Sequence, residues 1–137
     1  MLKHVNVIAL ERQFVQLQSE LITLRARFYI EASASIHETI AEFKTWRCQD
    51  GGLTENAVWM LGLTKRLEDT LCNEGIHEFM DAFESLEYGE WVQFNHEWWS
   101  LWLAIQNIEE QIKELHKQLV IAKQNCQLRQ AFKKAGF

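Results

Sequence analysis

Between Trp91 and Cys126, apolar or small residues recur at alternating steps of three and four. The eleven positions are Trp91, Phe94, Trp98, Leu101, Ile105, Ile108, Ile112, Leu115, Leu119, Ala122 and Cys126. This period is typical of a helix whose apolar ridge packs against another helix in a coiled coil or bundle. Such a helix is about 54 Å long, whereas a compact globule of this length is roughly 37 Å across. It therefore needs a second long helix, another copy or another protein along it.

A similar ridge begins near the amino terminus. Its members are Val7, Leu10, Phe14, Leu17, Leu21, Leu24 and Phe28, followed in steps of four by Ala32, Ile36 and Ile40. The segment Ser35–Glu38 has capping-box spacing and is able to start a new helix. Because no glycine or proline interrupts the ridge, one continuous helix is favoured.

Turn signals divide the middle of the chain. The double glycine of Gln49–Gly52 predicts a tight reversal, and Thr54 is placed to cap the next helix. Residues 57–63 are apolar on nearly every side and are predicted to be deeply buried. Asn73–Gly75 and Tyr88–Gly89 are predicted helix ends. With no proline in its 137 residues, the chain is predicted to be a single all-α domain over residues 1–137. We expect an elongated bundle of four to five helices with long, coiled-coil-like N- and C-terminal helices.

The short helix after Gly75 is amphipathic. Its inward positions are Ile76, Phe79, Met80, Phe83 and Leu86. Its outward positions form an acidic stripe of Glu74, Glu78, Asp81, Glu84 and Glu87. Magnesium chemistry on paired acidic motifs would need a facing pair of glutamates on another helix, and none is evident. A solvated or partner-facing stripe is therefore favoured.

Charge is unevenly distributed along the chain. Residues 1–48 carry six basic and five acidic side chains. Residues 49–110 carry two basic and thirteen acidic side chains, and residues 111–137 carry six basic side chains and one acidic side chain. The basic tail contains Lys113, Lys117, Lys123, Arg129, Lys133 and Lys134. Such segregation can hold the tail on the acidic middle, join neighbouring copies, or present either patch to an oppositely charged partner. A solvated face is the simplest alternative.

Sequence features at the amino terminus and at the cysteines indicate the compartment. The first ten residues lack the apolar stretch and cleavage site of a secretory signal, and apolar runs are too short for a membrane span. Cys48, Cys72 and Cys126 are odd in number and widely spaced, so they predict neither a disulfide framework nor a zinc site. We expect a cytoplasmic chain whose three cysteines are reduced, small core residues.

Signatures of catalysis and metal binding are weak. None of the five histidines lies three or four residues from another, which argues against a zinc pair on one helix face. Glu74 and His77 match the spacing of di-iron bundles, but no second motif accompanies them. There is also no phosphate-binding glycine loop and no nucleophile motif. We therefore expect no enzyme activity, no cofactor, no metal and no small-molecule substrate.

Four of the six tryptophans lie on the C-terminal helix. Trp91 and Trp98 belong to the ridge, whereas Trp99 and Trp102 lie one step off it. These two are either covered by the phenylalanine-rich helix at residues 79–83, which we favour, or left open as anchors for a protein interface. Base stacking is disfavoured, because residues 91–110 contain no lysine or arginine.

The long apolar ridges, the segregated charge and the lack of catalytic motifs favour one interpretation. The chain is predicted to be a non-catalytic interaction subunit, adaptor or regulator that binds a protein partner or its own copies in a larger assembly. Trp99 and Trp102, with the acidic stripe, are the predicted partner-binding residues. The alternative is a small nucleoprotein subunit whose basic tail contacts RNA or DNA backbone, since phosphate neutralisation needs no sequence readout. No role at a membrane is expected.

Overall fold

The computed structural model describes residues 3–85 and 96–136, with side chains described over residues 7–85 and 98–136. The described chain forms four helices: α1 (Lys3–Phe43), α2 (Glu55–Asn73), α3 (Ile76–Ser85) and α4 (His96–Lys134). The predicted all-α bundle with long N- and C-terminal helices is thereby confirmed. No helix among the described residues has the length and hydropathy needed to cross a membrane.

The predicted helix boundaries agree with the structure between α1 and α3. α1 runs without a break through Ser35–Glu38, as the uninterrupted ridge predicts. Gly51 adopts a positive φ of 90° in the turn after α1, and the Thr54 side chain accepts a hydrogen bond from the Ala57 amide at the start of α2. Gly75, at φ 126°, separates α2 from α3, where a side chain would be strained.

The chain is organised as two compact units. One unit, here called the terminal helix pair, consists of the described parts of Met1–Leu24 and Leu103–Phe137. The other, here called the aromatic unit, consists of the described parts of Arg25–Trp102. α1 and α4 each contribute residues to both units, whereas α2 and α3 belong wholly to the aromatic unit.

In the terminal helix pair, α1 and α4 run antiparallel with their ridges facing each other. The Phe14 and His116 rings are 6.1 Å apart, and closer to the chain ends Lys123 Nζ lies 3.4 Å from Glu11 Oε1. The most buried ridge residues of the pair are Leu17, Leu21, Ile105, Leu115 and Leu119. Two helices alone shield one face of each other and leave their remaining faces to solvent.

The aromatic unit has a core of interlocking rings. Phe28 of α1 is fully buried and contacts Phe79 of α3 and Trp98 of α4, with ring centroids 6.0 and 5.6 Å apart. Trp98, only 1% exposed, also contacts Phe83 at 5.4 Å. These edge-on arrangements are favourable for aromatic pairs and fix α3 against both long helices.

α2 packs beside the second part of α1. His37 Nε2 lies 3.2 Å from Glu68 Oε2, on the outside of this contact. The α1 residues Ala32 and Ser35 and the α2 residue Ala57 are buried.

Two burial predictions are wrong. In α2, Val58 and Trp59 are 58% and 66% exposed, because only the face carrying Met60 and Leu67 has neighbouring helices. An apolar run covers every side of a helix, yet only the sides that face another element become core. The prediction that the cysteines are core residues is also wrong. Cys48 lies in the surface turn and Cys72 on the outside of α2, so both are exposed, and Cys126 is half-buried.

Replacing Phe28 by alanine is expected to lower the free energy of unfolding by about 3–5 kcal/mol, because it removes a fully buried ring from a packed aromatic cluster. Ile30→Ala is the matched control on the same helix, where a side chain 67% exposed is expected to contribute less than about 0.5 kcal/mol. Denaturant unfolding followed by circular dichroism measures both values. Equal losses for the two variants would contradict the assignment of the core.

Candidate interaction surfaces

α3 and the beginning of α4 form an antiparallel pair with a fixed register. The Phe83 and Trp98 rings lie 5.4 Å apart at one end, and the His77 and Trp102 rings lie 5.0 Å apart at the other. Both contacts are edge-on, with interplanar angles of 83° and 73°. Residues between these contacts on either helix are therefore held at defined positions along the pair.

Trp99 and Trp102, whose burial the sequence did not decide, differ in their surroundings. Trp102 is 6% exposed and packs against His77, so it belongs to the core of the aromatic unit and does not present its ring to solvent. Trp99 is 39% exposed, and its ring lies 6.0 Å from that of Trp98. Of the two residues proposed as anchors, Trp99 alone has the accessible area for that role.

The acidic stripe lies on the outside of α3. Glu74, Glu78, Asp81 and Glu84 are exposed, whereas Glu87 lies outside the described residues. Asp81 follows His77 by one helical turn, and Trp99 precedes Trp102 by nearly one turn. The antiparallel register thus places Asp81 and Trp99 on the same side of the α3–α4 pair. We call Trp99 and the four described acidic residues the tryptophan–acid surface.

The basic tail forms part of the terminal helix pair. Lys113, Lys117, Lys123, Arg129, Lys133 and Lys134 are all exposed on α4. Lys123 forms the ion pair with Glu11, and exposed Glu114 interrupts the basic sequence between the first two lysines. The tail is therefore a dispersed basic face.

An exposed aromatic cleft lies where α1 turns into α2, and the sequence analysis missed it. Trp46, Asn56, Trp59 and Met60 line a cavity of about 120 Å³. The turn is held by hydrogen bonds from Thr54 N to the Trp46 carbonyl and from Trp46 N to the Phe43 carbonyl. Pockets for small molecules are usually about 300–1,000 Å³, so this cleft has the size for a single side chain.

A second apolar line on α1 was also missed. Ile8, Val15 and Ile22, here called the heptad stripe, are spaced by seven residues and are 58%, 64% and 68% exposed. Each lies one position after a residue of the buried ridge, so it points away from α4. The seven-residue spacing was visible in the sequence, but the richer ridge beside it gave the stronger signal.

A separate groove lies along the other side of the terminal helix pair. It has a volume of about 270 Å³ and is bordered by Leu10 on α1 and by Ile121, Ala122 and Cys126 on α4. Gln118, Asn125 and Arg129 of α4 also line it, so the groove has a mixed apolar and polar lining.

No group of three or more histidine, cysteine, aspartate or glutamate side chains is positioned to hold a metal ion within the described residues. Glu74, at the end of α2, donates its backbone N–H to the Thr70 carbonyl, and the His77 ring packs against Trp102. The spacing that resembles a di-iron motif therefore spans a helix junction, and its histidine faces an indole ring.

Comparison of the chain with protein-family models, with curated proteins and with solved structures gives no match. The function must consequently be argued from the surfaces described above.

The tryptophan side chains differ in solvent exposure, and fluorine NMR is expected to show this difference. With 5-fluorotryptophan incorporated and signals assigned by Trp→Phe variants, a soluble gadolinium chelate should broaden the Trp59 signal most, that of Trp99 less, and those of Trp98 and Trp102 least. The physical reason is that paramagnetic broadening falls steeply with distance from solvent. Broadening of Trp102 as strong as that of Trp59 would contradict its burial against α3.

Proposed function

We propose that this chain is a non-catalytic helical interaction subunit that binds a protein partner through the tryptophan–acid surface. The observation that supports this most is Trp99, a large aromatic side chain that is 39% exposed and lies beside the buried Trp98. Tryptophan is among the residues most enriched at energetically important interface positions. Asp81, which the register places on the same side of the α3–α4 pair, and the exposed glutamates of α3 are the polar rim in this proposal.

The packed aromatic core beneath Trp99 favours its role as an interface anchor. Its indole contacts the fully packed Trp98, which is itself held by Phe28 and Phe83. A side chain held in place before binding loses little conformational freedom on association. Trp99 therefore offers a partner a preorganised apolar surface.

The charge of the aromatic unit indicates the chemistry of the partner. Over residues 25–102 the sequence has six basic and fourteen acidic residues, a formal charge of -8. Exposed carboxylates on α3 are available to pair with lysine or arginine. We propose a protein segment with an apolar residue flanked by basic residues, whose encounter is accelerated by the negative field. A cytoplasmic location is part of this proposal, since the three cysteines are free thiols.

Photo-crosslinking at position 99 tests the proposal. With Trp99 replaced by p-benzoylphenylalanine in cells that express the chain, we expect a discrete protein adduct. Glu78→Lys with Asp81→Lys should reduce its yield at least about fivefold, because the complementary charge is reversed. Glu38→Lys with Glu42→Lys is the matched control, since both sites are exposed, lie in the same unit and change the net charge equally.

Two outcomes would contradict the tryptophan–acid surface as a binding site. One is the absence of any adduct at position 99 above that seen with the photoreactive residue at exposed Gln106. The other is an equal loss of adduct in the two charge-reversed pairs, which would show a net-charge effect with no preference for α3. Circular dichroism of each variant establishes that helicity is unchanged.

Nucleic-acid binding is the second candidate function, and the exposure of all six basic residues of the tail favours it. The residues of the terminal helix pair include eight basic and five acidic side chains, a formal charge of +3. Contacts of this kind would be made to phosphates, with no reading of the base sequence.

Replacing Lys113, Lys117 and Lys123 by glutamate is expected to abolish binding of a single-stranded RNA oligonucleotide if this second function holds. For the native chain, the logarithm of the association constant should fall with the logarithm of salt concentration, with a slope of about -0.7 per phosphate contacted. Fluorescence anisotropy at several salt concentrations measures both effects. No binding by the native chain at low salt would eliminate this function.

A further inference from the structure

The heptad stripe is part of a larger apolar face of the terminal helix pair. On α1, Glu11 lies between Ile8 and Val15, and its ion pair with Lys123 reaches across to α4. Val120 is one turn before Lys123 on α4 and is 42% exposed. The stripe and Val120 thus lie on the same side of the helix pair. The Phe14–His116 and Glu11–Lys123 contacts place Val120 level with residues 10–14 of α1, between Ile8 and Val15.

The spacing of this face indicates that its occupant is a helix. Branched residues repeated every seven positions form the ridge of a helix that packs along its length against another helix. Three such side chains, each more than half exposed, cover about 21 Å along α1. A small molecule would contact one of them, whereas a parallel or antiparallel helix contacts all three.

The even spacing of the heptad stripe makes this face complementary to the same face of a second copy. If α1 is reversed about an axis through Val15, Ile8 falls on the position of Ile22, and Val15 on its own position. This self-complementarity is what an isologous two-fold contact requires, because residue i must meet residue j and residue j must meet residue i.

The polar residues beside the stripe are compatible with this register. In the reversed arrangement, Glu11 is level with Ser19 of the second copy, and Arg12 is level with Gln18 of the second copy. The two charged side chains thus meet neutral, hydrogen-bonding residues, and within residues 8–22 no like charges are level with each other. Ser19 and Ala26 are small and exposed, which permits close approach of the helices.

The size of the face suits a stable dimer. The described α1 portion of the pair is about 33 Å long, and two helices side by side are about 20 Å wide. Its outline of roughly 660 Å² is comparable with the approximately 800 Å² per partner of a standard protein interface.

We infer that the terminal helix pair binds a second copy of this chain, antiparallel about a two-fold axis near Val15, to form a four-helix bundle. The heptad stripe and Val120 form the apolar centre of the interface. The inference rests on the terminal helix pair and does not depend on the tryptophan–acid surface, so either proposal can fail without the other.

Sedimentation velocity over a range of concentrations tests the dimer. We expect the native chain to sediment as a reversible dimer, and Val15→Glu to raise the dissociation constant at least about 100-fold, because two carboxylates would be buried at the axis. Ile121→Glu is the control: it introduces the same charge at 58% exposure in the terminal helix pair, on the side that carries the groove. Its dissociation constant should remain within about twofold of native.

Cross-linking tests the antiparallel register. In a chain with the three native cysteines replaced by serine, Val15→Cys should be joined to its own copy by a bis-maleimide that spans about 8–10 Å, the distance between packed helices. Ile8→Cys alone should not be cross-linked, because the two copies of residue 8 in the dimer lie about 21 Å apart. A mixture of Ile8→Cys and Ile22→Cys should cross-link.

Three results would overturn the inference: a native chain that stays monomeric at every concentration, a dimer unaffected by Val15→Glu, or efficient cross-linking of Ile8→Cys alone. Circular dichroism checks that the glutamate variant keeps its helicity. If helicity is lost, Val15→Ala retains the test, with an expected weakening of at least about tenfold through lost apolar contact.

Discussion

Mutual shielding of the apolar ridges on α1 and α4 is the constraint on which the rest of the structure depends. Neither ridge can stay in water along a helix of 41 or 39 residues without creating a large apolar patch. In the terminal helix pair the two ridges cover each other directly. In the aromatic unit, α2 and α3 add further surfaces, and the rings of Phe28, Phe79 and Trp98 replace the aliphatic contacts of the ridge.

This difference in helix number explains where exposed apolar side chains occur. A helix in a two-helix pair has one covered face, so any second apolar line must lie in solvent, as the heptad stripe does. A helix in the aromatic unit has several neighbours, and most of its large apolar residues are buried. Exceptions are Ile30 on α1, Val58 and Trp59 on α2, and Trp99 on α4, each on a side of its helix that is not fully covered.

The ridge pattern was sufficient to predict the helices and their buried faces, because periodicity reports directly which side of a helix is apolar. Gly75 and Thr54 were predictable as boundaries, since a positive φ and a side-chain cap each have a strong residue preference. Periodicity could not show which side of the helix is buried at residues 57–63, because this segment is apolar on nearly every side. Which side becomes core there depends on where the neighbouring helices lie, and that is a property of the tertiary structure.

The candidate surfaces were predictable to different degrees. The outward direction of Glu78, Asp81 and Glu84 follows from the amphipathic pattern of α3. The burial of Trp102 and the exposure of Trp99 do not, since both lie one step from the ridge and only the register of α3 against α4 distinguishes them. That register is set by the contacts of Phe83 and His77, and no sequence pattern indicates which residues of α4 these two side chains meet.

Charge and burial together separate two kinds of association in this chain. The tryptophan–acid surface combines one partly exposed ring with several carboxylates, so its affinity depends strongly on a partner of opposite charge and on salt. The heptad stripe is apolar at its centre and has balanced polar residues beside it, so salt should affect its contacts little. Under the two proposals, one chain holds a second copy by apolar packing in one unit and selects another protein by charge in the other. The segregation of basic and acidic residues into different units is compatible with this proposed division, because a mixed surface would weaken the electrostatic selection.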